Sequence, residues 1–426
     1  MSSNNKTTSV MEEAKPALLP KLRFPEFRGM EGWAQETGDS LFVQVNDRNP
    51  EPGLPVLAIT QEYGAIPRNL IDYHVSVTDK SIESYKVVHV GDFIISLRSF
   101  QGGIEHSSYH GICSPAYVIL RRRGDGLNEY FRHYLKTDKF IRILTKNLEG
   151  LRDGKMISYK QFSELMLPVP KPQEQQKIAD CLSSVDELIA AQARKVELLK
   201  RHKKGLMQQL LPIEGEIQPR LRFPEFRGSR DWELKMLEKV AKRGSGHTPS
   251  KHDTDNYNGG IKWISLADSK RLDAGLILKT EHEISEKGIK NSSAVLHPAG
   301  SVLISRDAGV GKSAIMALPM AVSQHFIVWT CHANQLSNWF LYYLLQQMKP
   351  LFERIATGST IKTIGLPFFK ELEIALPTLP EQQRIASCLS SLDDLITAES
   401  QQLAALKTHK KGLMQQLFPS TDEVGA

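Results

Sequence analysis

The sequence predicts an α+β protein: two pseudo-symmetric globular domains separated by two long helices that pair as an antiparallel coiled coil. Three observations carry this. The octapeptide "LRFPEFRG" occurs at Leu22–Gly29 and again at Leu221–Gly228, an offset of 199 residues. "HKKGLMQQL" at His202–Leu210 returns unchanged at His409–Leu417, and "EQQKIADCLSSVDELI" from Glu174 aligns with "EQQRIASCLSSLDDLI" from Glu381, both at an offset of 207. Within these repeated stretches the apolar residues recur in alternating steps of four and three. Units this long are duplicated domains, not solenoid repeats.

The elements follow in chain order. Residues 1–20 carry no basic-then-apolar signal pattern and read as a disordered lead. Residues 21–168 form the first globular domain. Its strand-like runs are "YKVVHVGDFIISL" and "PAYVILRRR", and its helical stretch is "LNEYFRHYLKTDKFIRIL". Residues 169–212 hold the first long helix, 213–219 a linker, and 220–376 the second domain. There "SAVLHPAGSVLIS", "HFIVWTC" and "LSNWFLYYLLQQMKPLFERI" are the counterparts. Phe131, Tyr134 and Leu135 align with Phe340, Tyr343 and Leu344, and their helical spacing marks them as core. Residues 377–419 hold the second long helix and 420–426 a tail. Some 38 residues of helix give a rod of about 55 Å.

The helix seams are spelled out by Ile178, Leu182, Val185, Ile189, Gln192, Val196, Leu199, Lys203, Leu206 and Leu210, and by Ile385, Leu389, Leu392, Ile396, Glu399, Leu403, Leu406, Lys410, Leu413 and Leu417. Eight of ten positions in each are apolar, a seven-residue repeat that makes a coiled-coil seam. A parallel, in-register pair would set Lys203 against Lys410. An antiparallel pair centred near Val196 instead sets Lys203 against Glu399 and Gln192 against Lys410, and that register is expected. The globular domains would then lie at opposite ends of the rod, at a spacing commensurate with turns of DNA of ~34 Å. The repeated octapeptide should dock Phe223 and Phe226 near Leu206 and Leu210. By symmetry, Phe24 and Phe27 should dock near Leu413 and Leu417, closing the chain into a ring.

Composition narrows the function. Hydrophobic content of 41% and charged content of 24% are ordinary for a globular chain, and the net charge of +6 is compatible with a polyanionic partner. No apolar run reaches the ~18 residues of a membrane span. Cys113, Cys181, Cys331 and Cys388 have no paired spacing and read as free thiols of a reducing cytoplasm. "GVGKS" at Gly309–Ser313 is not a nucleotide loop, because Arg306 stands where the Walker pattern requires glycine. The histidines lack metal spacing. No Pro-Pro dipeptide is present, so the Asn/Asp-Pro-Pro-aromatic motif of adenine N6-methyltransferases is absent. Nothing in the sequence identifies a catalyst, a metal ligand or a bound cofactor.

The loops offer binding groups instead. "GDFIISLRSFQGG" and "GSVLISRDAGVGKS" share a strand-to-loop element that presents Arg98 and Gln101 in one domain and Arg306 and Lys312 in the other. Such side chains suit contacts to base edges or phosphates. A second loop pair aligns Lys155 with Lys362. A third element, "GSGHTPSKHDTDNYNGGIKWISLAD" from Gly244, presents Thr248 and Lys251 ahead of a strand containing Trp263.

Two divergent domains alternating with two near-identical helices, the "RFPEF" leads, "GHTPSK" followed by "WIS", and the "P-x-x-E-Q-Q-x-I-A" helix starts resemble the specificity subunit of a type I restriction–modification enzyme over nearly the whole chain. The resemblance implies two target recognition domains, each reading one half of a bipartite site in double-stranded DNA. It implies helices that set the spacer and dock modification (methyltransferase) subunits, two per chain, with restriction subunits joined through them. S-adenosylmethionine, ATP and Mg would belong to those partners and none to this chain. The same residues would also suit a stand-alone DNA-binding regulator or scaffold on a helical rod, which would bind its site without a methylase.

Overall fold

The computed structural model describes residues 18–71, 84–124, 127–146 and 157–419. They form two compact units, Met1–Gln192 with Gln402–Ala426, and Ala193–Gln401. The long helices span Pro172–Leu210 and Leu379–Leu417. The unit boundaries therefore fall inside the helices, and each unit owns one globular domain plus half of each helix.

In the first unit, Ala34–Thr37 pairs antiparallel with Met166–Val169, so the chain enters and leaves the globular domain side by side. Between them lies a four-stranded sheet ordered Phe42–Val45, Val118–Arg122, Phe93–Ile95, Glu105–His106, with two further strand pairs. The run expected as one strand is two, Lys86–Val88 and Phe93–Ile95. Gly91 at φ 93° turns the chain between them, and the buried Asp92 carboxylate holds the turn by accepting from His89 N and pairing with Arg121. Phe42 sits edge-to-face with Phe93, Phe131 and Phe162 at the centre of the core.

In the second unit, Glu233–Met236 pairs with Glu373–Leu376 in the same role. Its five-stranded sheet is ordered Ala241–Ser245, Phe326–Cys331, Val302–Ser305, Ser313–Met316, Leu276–Ile277. A three-stranded sheet carries Tyr257–Ile264 between His282–Ile284 and Ala321–Val322. The helix Asn338–Gln347 covers the larger sheet with Phe340, Leu341 and Tyr343 fully buried.

Within each unit the helix halves run in opposite directions. In the second unit, Lys195 meets Glu399 at 2.6 Å while Lys203, further along, meets Asp393, earlier in its helix, at 2.5 Å. In the first unit Lys410 meets Asp186 at 2.6 Å, the repeat-equivalent of the Lys203 pair. None of the twenty seam positions is exposed, including Leu182, Ile189, Val196, Leu389, Ile396 and Leu403. The register differs from the expected one. Lys203 was expected to meet Glu399, and Gln192 to meet Lys410; the observed lysine partners lie six positions away. The reason is desolvation. A lysine and a glutamate both inside the seam would bury two charges, whereas a seam lysine can extend to a carboxylate on the flank and keep its ammonium partly wet. Asp393 and Asp186 each sit one residue beyond a seam position.

The docking of the repeated octapeptide is present for one aromatic of each copy. Phe223 packs against a core containing Leu210 with Leu206 at its margin, and Phe24 against one containing Leu417 with Leu413 at its margin. Leu22 N donates to Gln416 O and Leu221 N to Gln209 O. Phe27 and Phe226 join neither core. Leu18, expected in a disordered lead, is buried and bridges Trp33. The larger determinant lies elsewhere in the octapeptide. Arg23 grips Glu174 with two hydrogen bonds of 2.8 Å, and Arg222 grips Glu381 at 2.8 and 2.7 Å. Both carboxylates are buried.

Lys203→Glu is expected to lower unfolding free energy by roughly 1–3 kcal/mol in a urea titration, since it places a second carboxylate beside Asp393. Adding Asp393→Lys should recover part of the loss, while Glu399→Lys should not, because Glu399 is held by Lys195. Rescue by Glu399→Lys alone would contradict the register described. Arg222→Ala should cost about 3–5 kcal/mol by stranding the buried Glu381 carboxylate.

Candidate DNA interface

In the first unit, strand Phe93–Ile95 runs into a one-turn helix, Ser99–Gly102, with Arg98 at its N-cap. Ser96 Oγ accepts from Arg98 N, and Arg98 O accepts from the backbone of Gln101 and Gly102, so the turn is fixed by its own backbone. Both the Arg98 and Gln101 side chains are exposed. The return requires Gly103. Its φ is 77°, and a Cβ there would lie 2.1 Å from Leu135 O. A neighbouring cleft of about 590 Å³ is lined by Gln61, Tyr63, Arg68, Leu97 and Arg98 among others. Lys155 lies outside the described residues.

In the second unit the equivalent strand, Val302–Ser305, leads into the loop Arg306–Lys312. Arg306 and Lys312 are not free side chains on that loop. Arg306 Nε donates to Ile364 O at 3.1 Å, and Ile364 N donates back to Arg306 O. The Lys312 ammonium donates to Ser269 O and Oγ at 3.0 and 3.1 Å. Both therefore stitch loops together, and Lys312 still lines a cleft of about 540 Å³ with Lys349 and the exposed Lys362. The pair Arg306 and Lys362 is brought together because Asp307 bridges Thr363.

Thr248 and Lys251 occupy a different cleft of about 640 Å³, shared with Tyr257, Trp263, Gln324 and His325. The loop that carries them is pinned by Trp263 Nε1 donating to His247 O and by the Tyr257 hydroxyl donating to Pro249 O. Gly246 allows the close approach, because a Cβ there would lie 1.7 Å from Val322 O. Thr248 donates to Gln324 Oε1 at 2.6 Å, and the His325 ring contacts the Asp307 carboxylate at 2.8 and 2.9 Å. Asp307, Gln324 and His325 escaped the sequence reading. The polar pair Gln324–His325 directly ahead of a buried strand was the available signal.

Other titratable groups belong to the scaffold. Burial pushes the Cys113 and Cys331 thiols up to about 12, so both stay protonated and unreactive near neutral pH. Burial lowers His297, whose ring packs on Gly244. Among the described residues no group of three His, Cys, Asp or Glu could hold a metal ion, and no helix is long and apolar enough to cross a membrane.

These geometries separate scaffold from reach. Arg306→Ala and Lys312→Met should each lower unfolding free energy by about 1–2 kcal/mol, since each leaves backbone acceptors unpaired. Gln101→Ala, Lys251→Ala and Lys362→Ala should stay within about 0.5 kcal/mol of the parent. Chemical denaturation of the five variants checks the division.

Comparison with known proteins agrees with this architecture. A family model described as the type I restriction modification DNA specificity domain matches residues 47–201 and 229–408. The MjaVIII type I restriction enzyme specificity subunit of Methanocaldococcus jannaschii is 24% identical over 359 residues, covering 81% of each chain. The EcoR124I/EcoR124II specificity subunit of Escherichia coli is 27% identical over 258 residues, 57% of this chain and 59% of the relative. Two solved structures share the fold. One, from work on assembly and conformational transition of the type I R-M system, has TM-score 0.56 at 19% identity over 91% of this chain and 98% of its own. The other, the type I S subunit from M. genitalium, has TM-score 0.55 at 16% identity over 94% and 99%. With both of its repeats matched by that family model, the chain belongs to the type I restriction modification DNA specificity family.

Proposed function

We propose that this chain is the DNA-reading, non-catalytic subunit of a type I restriction–modification complex. Each globular domain reads one half of a bipartite site, and the long helices fix the spacer and dock two methyltransferase subunits. Restriction subunits join through those. S-adenosylmethionine, ATP and Mg belong to the partners and not to this chain, in the cytoplasm where host DNA lies. The observation that carries this reading is where identity and divergence fall between the two copies. The repeated residues are the ones that hold each unit together, namely the Arg–Glu grips, the seam and its flanking lysine pairs. The residues at the loop clefts differ, as two readers of different half-sites would.

The division of labour is physically reasonable. Lysines and arginines on phosphates would supply affinity that falls with salt. Loop side chains in the grooves would supply discrimination of about 1–3 kcal/mol per bidentate pair. Two readers on one scaffold gain effective concentration only for half-sites at the matching separation.

Expressing the chain with and without a methyltransferase partner, then sequencing host DNA for methylated adenine, tests the reading. A split motif is expected only with the partner. Tight, specific binding by the chain alone with no partner-dependent methylation would favour a stand-alone regulator. Inserting one heptad into each long helix adds about 10.5 Å, so the spacer should lengthen by about three base pairs with both half-sites unchanged. Altered half-sites would remove the helices from the ruler role.

A further inference from the structure

The first unit carries a feature that the loop alignment did not indicate. The strands Leu57–Thr60 and Gly64–Pro67 form a hairpin whose tip, Gln61–Tyr63, leans on the one-turn helix Ser99–Gly102. Thr60 Oγ1 fixes the tip by accepting from Tyr63 N at 2.9 Å and donating to Gly64 O at 3.2 Å. Gln61 fills the space a side chain at Gly102 would need, with a Cβ there only 2.6 Å away, and its amide reaches Arg98 O at 3.5 Å. The tip is therefore anchored, yet it leaves Tyr63 57% exposed, and Leu97, 53% exposed on the loop ahead of that helix, lines the same cleft. Neither side chain serves the core, and the two line one cleft from separate loops. Arg68, just after the hairpin, lines the same cleft, and its Nε and Nη1 are buried with no acceptor. Buried guanidinium nitrogens are seldom left unpaired in a finished structure.

We propose that the hairpin tip and Arg68 form a base-reading element of the first recognition domain, acting beside Arg98 and Gln101. Arg98, which is exposed, and Arg68, which can swing out of the cleft wall because its Nε and Nη1 hold no hydrogen bond, supply donors for the paired acceptors on one base edge, for which guanine O6 and N7 are the natural complement to a guanidinium. The Tyr63 ring and Leu97 cover the apolar part of the neighbouring base or its sugar. A phosphate would require no exposed ring beside the donors, so the base edge is the better match. This assignment rests on the proposed DNA-reading function and adds to it the residues of one half-site.

The test uses the full chain assembled with its methyltransferase partner in a host, read by sequencing methylated adenine. Tyr63→Ala removes an exposed side chain and leaves the fold intact; Arg68→Gln shortens the side chain, keeps a planar polar end and removes the charge. Both variants should relax discrimination at a base pair of the same half-site by roughly ten- to a hundredfold, with the other half-site and the spacer unchanged. An unchanged motif in both variants would overturn the assignment, as would a uniform loss of affinity on every DNA sequence, which is the signature of a phosphate contact. An unaltered complex that writes no split motif would overturn the underlying function instead.

Discussion

The buried arginine–glutamate grip is the interaction on which the rest of this molecule depends. Arg23 on Glu174, and Arg222 on Glu381, join the segment ahead of each globular domain to the first turn of the long helix that follows it. The geometry is bidentate, and the arginines also donate to the Met30 and Glu31 carbonyls and to those of Ser229 and Arg230. A buried ion pair without such supplementary bonds returns little net stability, because desolvation consumes the attraction. Here the charge is satisfied on all sides, so the grip fixes a position. The neighbouring glutamines extend it. Gln175 Nε2 donates to Pro170 O and Gln382 Nε2 to Pro377 O, so the "EQQ" helix start ties its first turn both to the octapeptide and to the residues just ahead of the helix.

That constraint explains which parts of the sequence were legible. Helix length, seam direction and the duplication all follow from periodicities that the chain repeats, and a repeat makes its own control. The grip itself was visible only as two repeated motifs, "RFPEF" and "EQQ", some 150 residues apart in the chain; nothing local says that one binds the other. The seam register departs from the one its own residues imply for a related reason. Considering seam residues alone leaves out Asp186 and Asp393, which lie on the flank and take the lysines.

The loop clefts were the least legible part. Arg306 and Lys312 look like free binding groups in sequence because glycines surround them, yet both side chains hold neighbouring loops in place. A glycine-rich loop signals close backbone approach as readily as exposure. Gln324 and His325 are joined to Thr248 and Asp307 only by the folding of distant strands, across separations that no periodicity marks. Hairpin tip Gln61–Tyr63 is similar. Its exposure is a property of the turn fixed by Thr60, and composition alone would have assigned the tyrosine to a core.

The two units make one docking under different topological terms. In the second, the octapeptide follows the helix end it packs on, and Leu221 N reaches Gln209 O across twelve residues. In the first, Leu22 N reaches Gln416 O across almost the whole chain. Loop-closure entropy grows as (3/2)RT ln n, so the closure in the first unit is costlier by about 3 kcal/mol if made on its own. The first unit carries correspondingly more packing at that junction. Leu18 is buried there against Trp33, Phe418 packs on Tyr130 and Tyr134 at 5.5 Å, and Lys139 ties the helix end by donating to Gln415 O and Phe418 O. At the position of Phe418 the second unit has the smaller Leu211, also fully buried. The larger aromatic therefore sits where the closure is longest, as expected if chain-end packing offsets the entropy of joining distant segments. The same octapeptide can then serve both units unchanged, because the extra stabilisation comes from the residues around it.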